Sequence, residues 1–211
     1  MKRIQVLTMC FALLSAILPL KTQGVITVTF DPPSLPGGGK LLQTYTESGV
    51  VFTSLFDMSF ASTDSGLSGR PDDGTAHFDV LRNFTSFTLS TGPFQLDSVD
   101  LAEYSVVFAS PQTIGFTGHR VGGGTVSTNF VTDGIIDGTG PLIDFQTFHF
   151  GNAFTQLTSV DMSATFAMDN LRLEPIPEPS DVSLLVAGII AISWCRIRQT
   201  NGQRQLGHAL H

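Results

Sequence analysis

Between Val25 and Glu174 apolar and polar residues alternate in short bursts, and almost every burst is closed by a turn signal. Thr85, Phe87 and Leu89 fall on one side of such a burst, and Phe84, Ser86, Thr88 and Ser90 on the other. A period of two is that of a half-buried strand. Val25–Phe30, Val50–Thr53 and Ala76–Val80 are β-branched or aromatic and short, as strands are. Further strands are predicted at Phe94–Leu96, Val99–Tyr104, Thr113–Thr117, Thr125–Val131, Phe145–Phe150, Leu157–Val160 and Phe166–Leu173. Glu47-Ser48-Gly49, Thr91-Gly92-Pro93, Gly122-Gly123-Gly124, Asp133-Gly134 and Asp137-Gly138 punctuate them. No window inside this body has a 3.6-residue apolar period. The pattern predicts an all-β body over 25–174, a single antiparallel β-sandwich. About ten short strands exceed the immunoglobulin count and point to a jelly roll.

The two ends read differently. Met1-Lys2-Arg3 precedes an apolar run from Ile4 to Leu20 and then polar Lys21-Thr22-Gln23-Gly24. That order predicts a secretory signal peptide over 1–24, formed as a signal helix. At the other end Pro175-Ile176-Pro177-Glu178-Pro179-Ser180 leads into an apolar stretch and then Cys195-Arg196-Ile197-Arg198. Prolines lack a backbone donor and favour an extended approach. The span 182–195 is about 14 residues, roughly 21 Å as a helix, short for a ~30 Å hydrocarbon core. Arg196 and Arg198 would stop it on the cytoplasmic side and leave the body outside. A polar tail follows over 199–211.

Pro177-Glu178-Pro179, the short apolar helix and the Arg pair together resemble the PEP-CTERM sorting signal of exopolysaccharide-producing Gram-negative bacteria. The resemblance covers 175–198. It implies that Pro177, Glu178 and Pro179 are read by an exosortase, and that the protein passes through an inner-membrane intermediate to the cell surface or extracellular matrix. The basic cluster is thin, and the tail continues where members of that family usually stop. The body also resembles the jelly-roll ectodomains of that group, themselves similar to carbohydrate-binding modules. Phe30-Asp31, Tyr45 to Phe52, Gly92 to Leu96 and Met168-Asp169-Asn170-Leu171 carry that likeness. It implies a structural Ca²⁺ between first and last strands, at Asp31 and Asp169 with Glu47 added. The alternative for Asp31 is a cap on the Pro32-Pro33 turn, and for Asp169 the end of a hairpin.

Composition narrows the chemistry. Charged residues are only 14% of the chain against 42% hydrophobic, which excludes disorder and a coiled coil. Net charge is −7, and between Val25 and Ile176 five basic residues (Lys40, Arg70, Arg82, Arg120, Arg172) face 16 acids. Nucleic acid is therefore not an expected partner. Cys10 and Cys195 both lie in the end segments, so the body has neither a thiol nucleophile nor a disulfide. His77, His119 and His149 lack metal-ligand spacing and read as surface or strand-edge residues, and no Gly-x-Ser-x-Gly elbow exists. The acidic excess with hard oxygen ligands favours Ca²⁺ over a transition metal. The sequence thus predicts a non-catalytic exported protein whose body binds polysaccharide or packs into a matrix. The alternative is a secreted carbohydrate-active enzyme on the same scaffold. Most of the 17 Phe read as core, which disfavours an aromatic sugar platform.

Overall fold

A computed structural model of the chain describes residues 24–31, 42–62, 69–71, 73–80, 85–136, 144–176, 188 and 190, with side chains omitted for 56–62. Gln23–Pro177 forms a compact unit of its own. The signal segment 1–24, all but Gly24, and the sorting motif 177–179 lie outside the described residues. So do Asp137-Gly138, Arg196, Arg198 and the 199–211 tail. Of the span 182–195 only Gly188 and Ile190 are described, both helical.

The body is all-β. Its strands are β1 (Ile26–Val28), β2 (Leu42–Glu47), β3 (Val50–Ser62), β4 (Ala76–Val80), β5 (Thr85–Leu89) and β6 (Phe94–Glu103). After a single 3₁₀ turn at Val106–Phe108 come β7 (Thr113–Arg120), β8 (Thr125–Val131), β9 (Gln146–His149), β10 (Leu157–Ser163) and β11 (Phe166–Pro175). All pairings are antiparallel, in the order β8-β7-β10-β5-β3-β4-β11-β6-β9, with β2 beside β3 and β1 beside β11. The long β3 joins two layers, because Val50–Ser54 pairs with β5 while Ser59–Ser62 pairs with β4. In the second layer β4 and β1 lie end to end along one side of β11, and β6 takes the other.

The alternation explains the core. Thr85, Phe87 and Leu89 are buried, as are Phe78 and Val80 on β4 and Phe166 and Met168 on β11. Facing layers meet through rings: Phe52 to Phe78 at 5.4 Å and Phe116 to Phe166 at 6.2 Å. Ten of the Phe are fully or nearly fully buried, in keeping with their reading as core. Glycine matters where strands crowd. At Gly118 a Cβ would meet Leu157 Cδ2 at 2.8 Å, so the β7–β10 approach depends on its absence.

Boundaries for β4 and β8 coincide with the sequence reading, and Asp133-Gly134 lies outside regular strand with Gly134 at φ +83. β7 and β10 each run three residues past their predicted ends, and three further features differ. β2 was not expected, because Leu42–Glu47 is mostly exposed and carries little apolar signal. Phe94–Leu96 and Val99–Tyr104 are joined in one strand, β6 (Phe94–Glu103), because Ser98 pairs with Arg172 of β11 and with His149 of β9, and Asp97 is taken up as a bulge between Ser98 and Leu96. β3 runs nine residues past the predicted end at Thr53, to Ser62, because its far half is paired by β4.

Candidate functional site

Period-two geometry gives the second layer a face turned away from the core. Residues directly opposite one another share a face, so Asp79 of β4, Ala167 of β11 and Ala102 of β6 form one row. Asp169 of β11, Asp100 of β6 and Thr147 of β9 form the next. Ala167 and Ala102 are small, and Phe145 packs over them. Asp79 and Asp169 on this face are buried, while Asp100 is half-buried and Thr147 exposed.

Two clusters result. In the first, Arg70 Nη1 lies 3.4 Å from Asp79 Oδ2, donates 2.9 Å to the Tyr104 carbonyl oxygen, and its guanidinium sits 3.5 Å above the Tyr104 ring. Arg70 also donates to the Tyr104 hydroxyl. His77 stands beside Asp79, Nε2 to Oδ1 at 3.5 Å, with Phe145 against its ring at 5.4 Å. His77 is 1% exposed, and among the described residues neither ring nitrogen has a hydrogen-bond partner. The expectation of a surface histidine is corrected here: alternation around Phe78 turns His77 to the outer face, where Phe145 packs against it. His119, in contrast, is partly exposed and meets Asp161 at 2.7 Å. At the same end of β6, Glu103 Oε1 accepts from the Thr132 hydroxyl and, at 2.6 Å, from Gly134 N–H.

The second cluster gathers acids. Asp169 is 1% exposed; its Oδ1 accepts from Asn170 N–H at 2.7 Å and its Oδ2 from the Thr75 hydroxyl at 3.2 Å. Thr75 also donates to Asp73 Oδ1, through its backbone at 2.9 Å and its hydroxyl at 2.6 Å. Burial, together with the hydrogen bond to Asp73, pushes the Asp169 carboxyl up to about 9. Burial works to raise Asp73 as well, but hydrogen bonds from Asp169 and Thr75 outweigh it and hold Asp73 below the usual range. The two carboxyls share one proton, as adjacent acids must when both cannot ionise. Asn170 Nδ2 then donates to Asp100 Oδ2 at 3.0 Å, and Thr147 to Asp100 Oδ1 at 2.6 Å. Asn170 takes φ +46 at the β11 bulge, a conformation Asn tolerates.

The predicted calcium residues can be placed against this. The first and last strands are neighbours, with Val28 opposite Leu171. Asp31 Oδ1, however, accepts from Ala76 N–H at 2.8 Å. Glu47 accepts from Thr29 N–H at 2.9 Å and Phe30 N–H at 3.0 Å, and from the Tyr45 hydroxyl at 2.6 Å. Among the described residues no three His, Cys, Asp or Glu side chains converge to hold a metal ion. Ca²⁺ requires about six to eight oxygens. As they stand Asp31, Glu47 and Asp169 do not fit a calcium centre, because each carboxylate already satisfies protein donors. Their work is structural: Glu47 pins the end of β1 while Phe30 turns at φ +56 into the core. Burial and the Glu47 hydrogen bond hold the Tyr45 hydroxyl well above its ordinary pKa.

Glu47→Gln should therefore lower stability by roughly 1.5–3 kcal/mol, because two backbone donors and a phenol lose an ionic acceptor. Urea unfolding of variant and parent would measure it. Coincident midpoints would show that the Glu47 latch carries nothing.

From sequence Arg70, Asp79 and Asp100 carry no site role, Asp73 reads as turn chemistry and His77 as a surface or strand-edge residue. The signal for two of them was present, since alternation in Ala76-His77-Phe78-Asp79-Val80 puts His77 and Asp79 opposite the core residues.

No protein-family model matches the chain, and no curated protein does. Among solved structures the chain is similar to an agarase, AgWH50C, at 11% identity and a TM-score of 0.31, over 74% of this chain and 25% of the agarase chain. The chain thus spans about a quarter of that protein's length, and a likeness so slight transfers neither fold nor activity.

Proposed function

We propose that this chain is an exported, non-catalytic β-protein, delivered to the cell surface or extracellular matrix through the signal at Pro177-Glu178-Pro179. The observation that carries the reading is where the body stops. β11 ends at Pro175, and Ile176 N–H closes the fold on the Pro93 carbonyl oxygen at 2.8 Å. The motif begins at the next residue, so a processing enzyme could read it without unfolding any strand. An exosortase is the partner this implies, with the inner membrane a transient station and Arg196 and Arg198 the stop.

A non-catalytic body is supported by how its acids are used. Asp73 and Asp169 are both taken up by the Thr75 hydroxyl, at 2.6 and 3.2 Å, rather than facing each other across an open cleft as glycosidase carboxyls do. Both Asp169 oxygens already accept protein donors. Among the described residues Phe108, 53% exposed, is the one exposed Phe, which favours matrix packing over an aromatic sugar platform. Polysaccharide remains the ligand class to test, by binding to a glycan array.

Replacing Pro177, Glu178 and Pro179 by alanine should leave unprocessed protein in the membrane fraction, with an unchanged body. Normal processing and release of that variant would sink the sorting reading and leave a generic anchor.

A further inference from the structure

We propose that β8 is a self-pairing edge: two copies of the chain join antiparallel along Thr125–Val131, across a two-fold axis at Thr128. Among the described residues β8 terminates the hydrogen-bonded order of strands and pairs with β7 alone. Two bonds at the ends of this hairpin set its phase: Arg120 N–H to the Gly124 oxygen and Thr132 N–H to the Gln112 oxygen, both 3.1 Å. Antiparallel ladders alternate, so Val126, Thr128 and Phe130 bond to β7. Thr125, Ser127, Asn129 and Val131 turn their N–H and C=O groups outward, and all four are exposed. Among the described residues nothing on the backbone meets those groups.

Exposed edges are ordinarily blunted by Lys, Pro, a bulge or brevity. β8 has none of these. It is seven residues long, has no charge and no proline, and keeps an unbroken register with β7. The opposite edge, β9, has only four residues.

The occupant follows from the sequence of the strand. About Thr128 it is nearly symmetric in chemistry: Val126 would face Phe130 of the second copy, Ser127 would face Asn129, and Thr125 would face Val131. That sets an aliphatic side chain against an aromatic one and a hydroxyl against an amide, both favourable cross-strand pairs. Two strands in this register exchange about eight backbone hydrogen bonds. A chain of net charge −7 resists self-association, yet this edge brings no like charges opposite one another. The contact is isologous and closes at two copies.

The test is sedimentation of the full chain in mild detergent, up to roughly 0.1 mM. A reversible dimer is expected. Asn129→Pro deletes an outward N–H without touching the β7 ladder and should give monomer with an unchanged circular dichroism spectrum. Asn129→Lys should do the same should the proline variant fail to fold. With Cys10 and Cys195 replaced by serine, Thr128→Cys should oxidise to a linked dimer, because a non-hydrogen-bonded pair sits about 4.5 Å apart at Cα. Ser127→Cys should not. Monomer at every concentration, a dimer that survives both Asn129 variants, or linkage through Ser127→Cys would each overturn the proposal.

Discussion

Phe52→Ala is expected to cost roughly 3–5 kcal/mol, the largest effect of any single truncation in the core. Phe52 is fully buried at the place where β3 leaves the first layer for the second. Its ring stands 5.4 Å from Phe30, Phe78 and Phe87 and 6.1 Å from Tyr45. These neighbours come from the end of β1 and from β4, β5 and β2, so collapse into the gap would have to move four backbones together. The loss would remove a large part of a typical total of about 5–15 kcal/mol. For a body of this size it should lower Tm by roughly 10–15 °C. Phe52→Leu should recover most of the loss. A cost below about 1 kcal/mol for Phe52→Ala would mean that the junction repacks freely and that the ring cluster is not cooperative.

The second large effect concerns pH. An unfolded Asp titrates near ~3.9, while Asp169 in the fold is pushed up to about 9. Between those limits the folded chain holds a proton that the unfolded chain has lost. The stabilisation attached to that proton is complete below about pH 4, falls as pH rises, and is gone above about pH 9. Asp73 works in the opposite sense, being held below its ordinary value, but only in the acid range. Stability should thus decline from pH 5 to pH 8, at up to ~1.4 kcal/mol per pH unit. Asp169→Asn keeps an acceptor for Asn170 N–H at Oδ1 and puts a donor, Nδ2, where Oδ2 stood, toward Asp73 and the Thr75 hydroxyl oxygen, without the titration. The variant should be the more stable form by a few kcal/mol at pH 8 and should lose the slope. Parallel stability curves for the two proteins would show that no proton is shared there.

Much of the fold was legible because burial in a sandwich follows a local rule. The alternation at Thr85–Leu89 marks the residues that face the core, and dense β-branched and aromatic residues fix Ala76–Val80 and Thr125–Val131 to the residue. What local pattern could not supply was pairing. β2 is held by β3 and by the Glu47 latch rather than by its own apolar content. The continuity of β6 through Asp97-Ser98 depends on pairing of Ser98 with Arg172 of β11 and His149 of β9, far away in sequence. The polar face was hidden for the same reason. Arg70 and Asp73 precede β4, Asp100 is on β6 and Asp169 on β11, and only the order β4-β11-β6 brings them into neighbouring rows. Sequence also does not reveal which protein donors take up a carboxylate: Asp31 accepts from Ala76 N–H, Glu47 from Thr29 and Phe30 N–H, and Asp169 from Asn170 N–H.

The strand that leaves the body also decides how it bears load. β11 is an interior strand, flanked by β6 on one side and by β4 and β1 on the other, and the chain departs from its Pro175 end. Tension applied at Ile176 runs along β11, parallel to the strand and across its hydrogen bonds. The ladders to β6, β4 and β1 must then slide and break together rather than open one bond at a time. A peripheral strand peeled from its tip would yield bond by bond at low force. A body tethered by this exit behaves as a rivet, resisting extraction by shear.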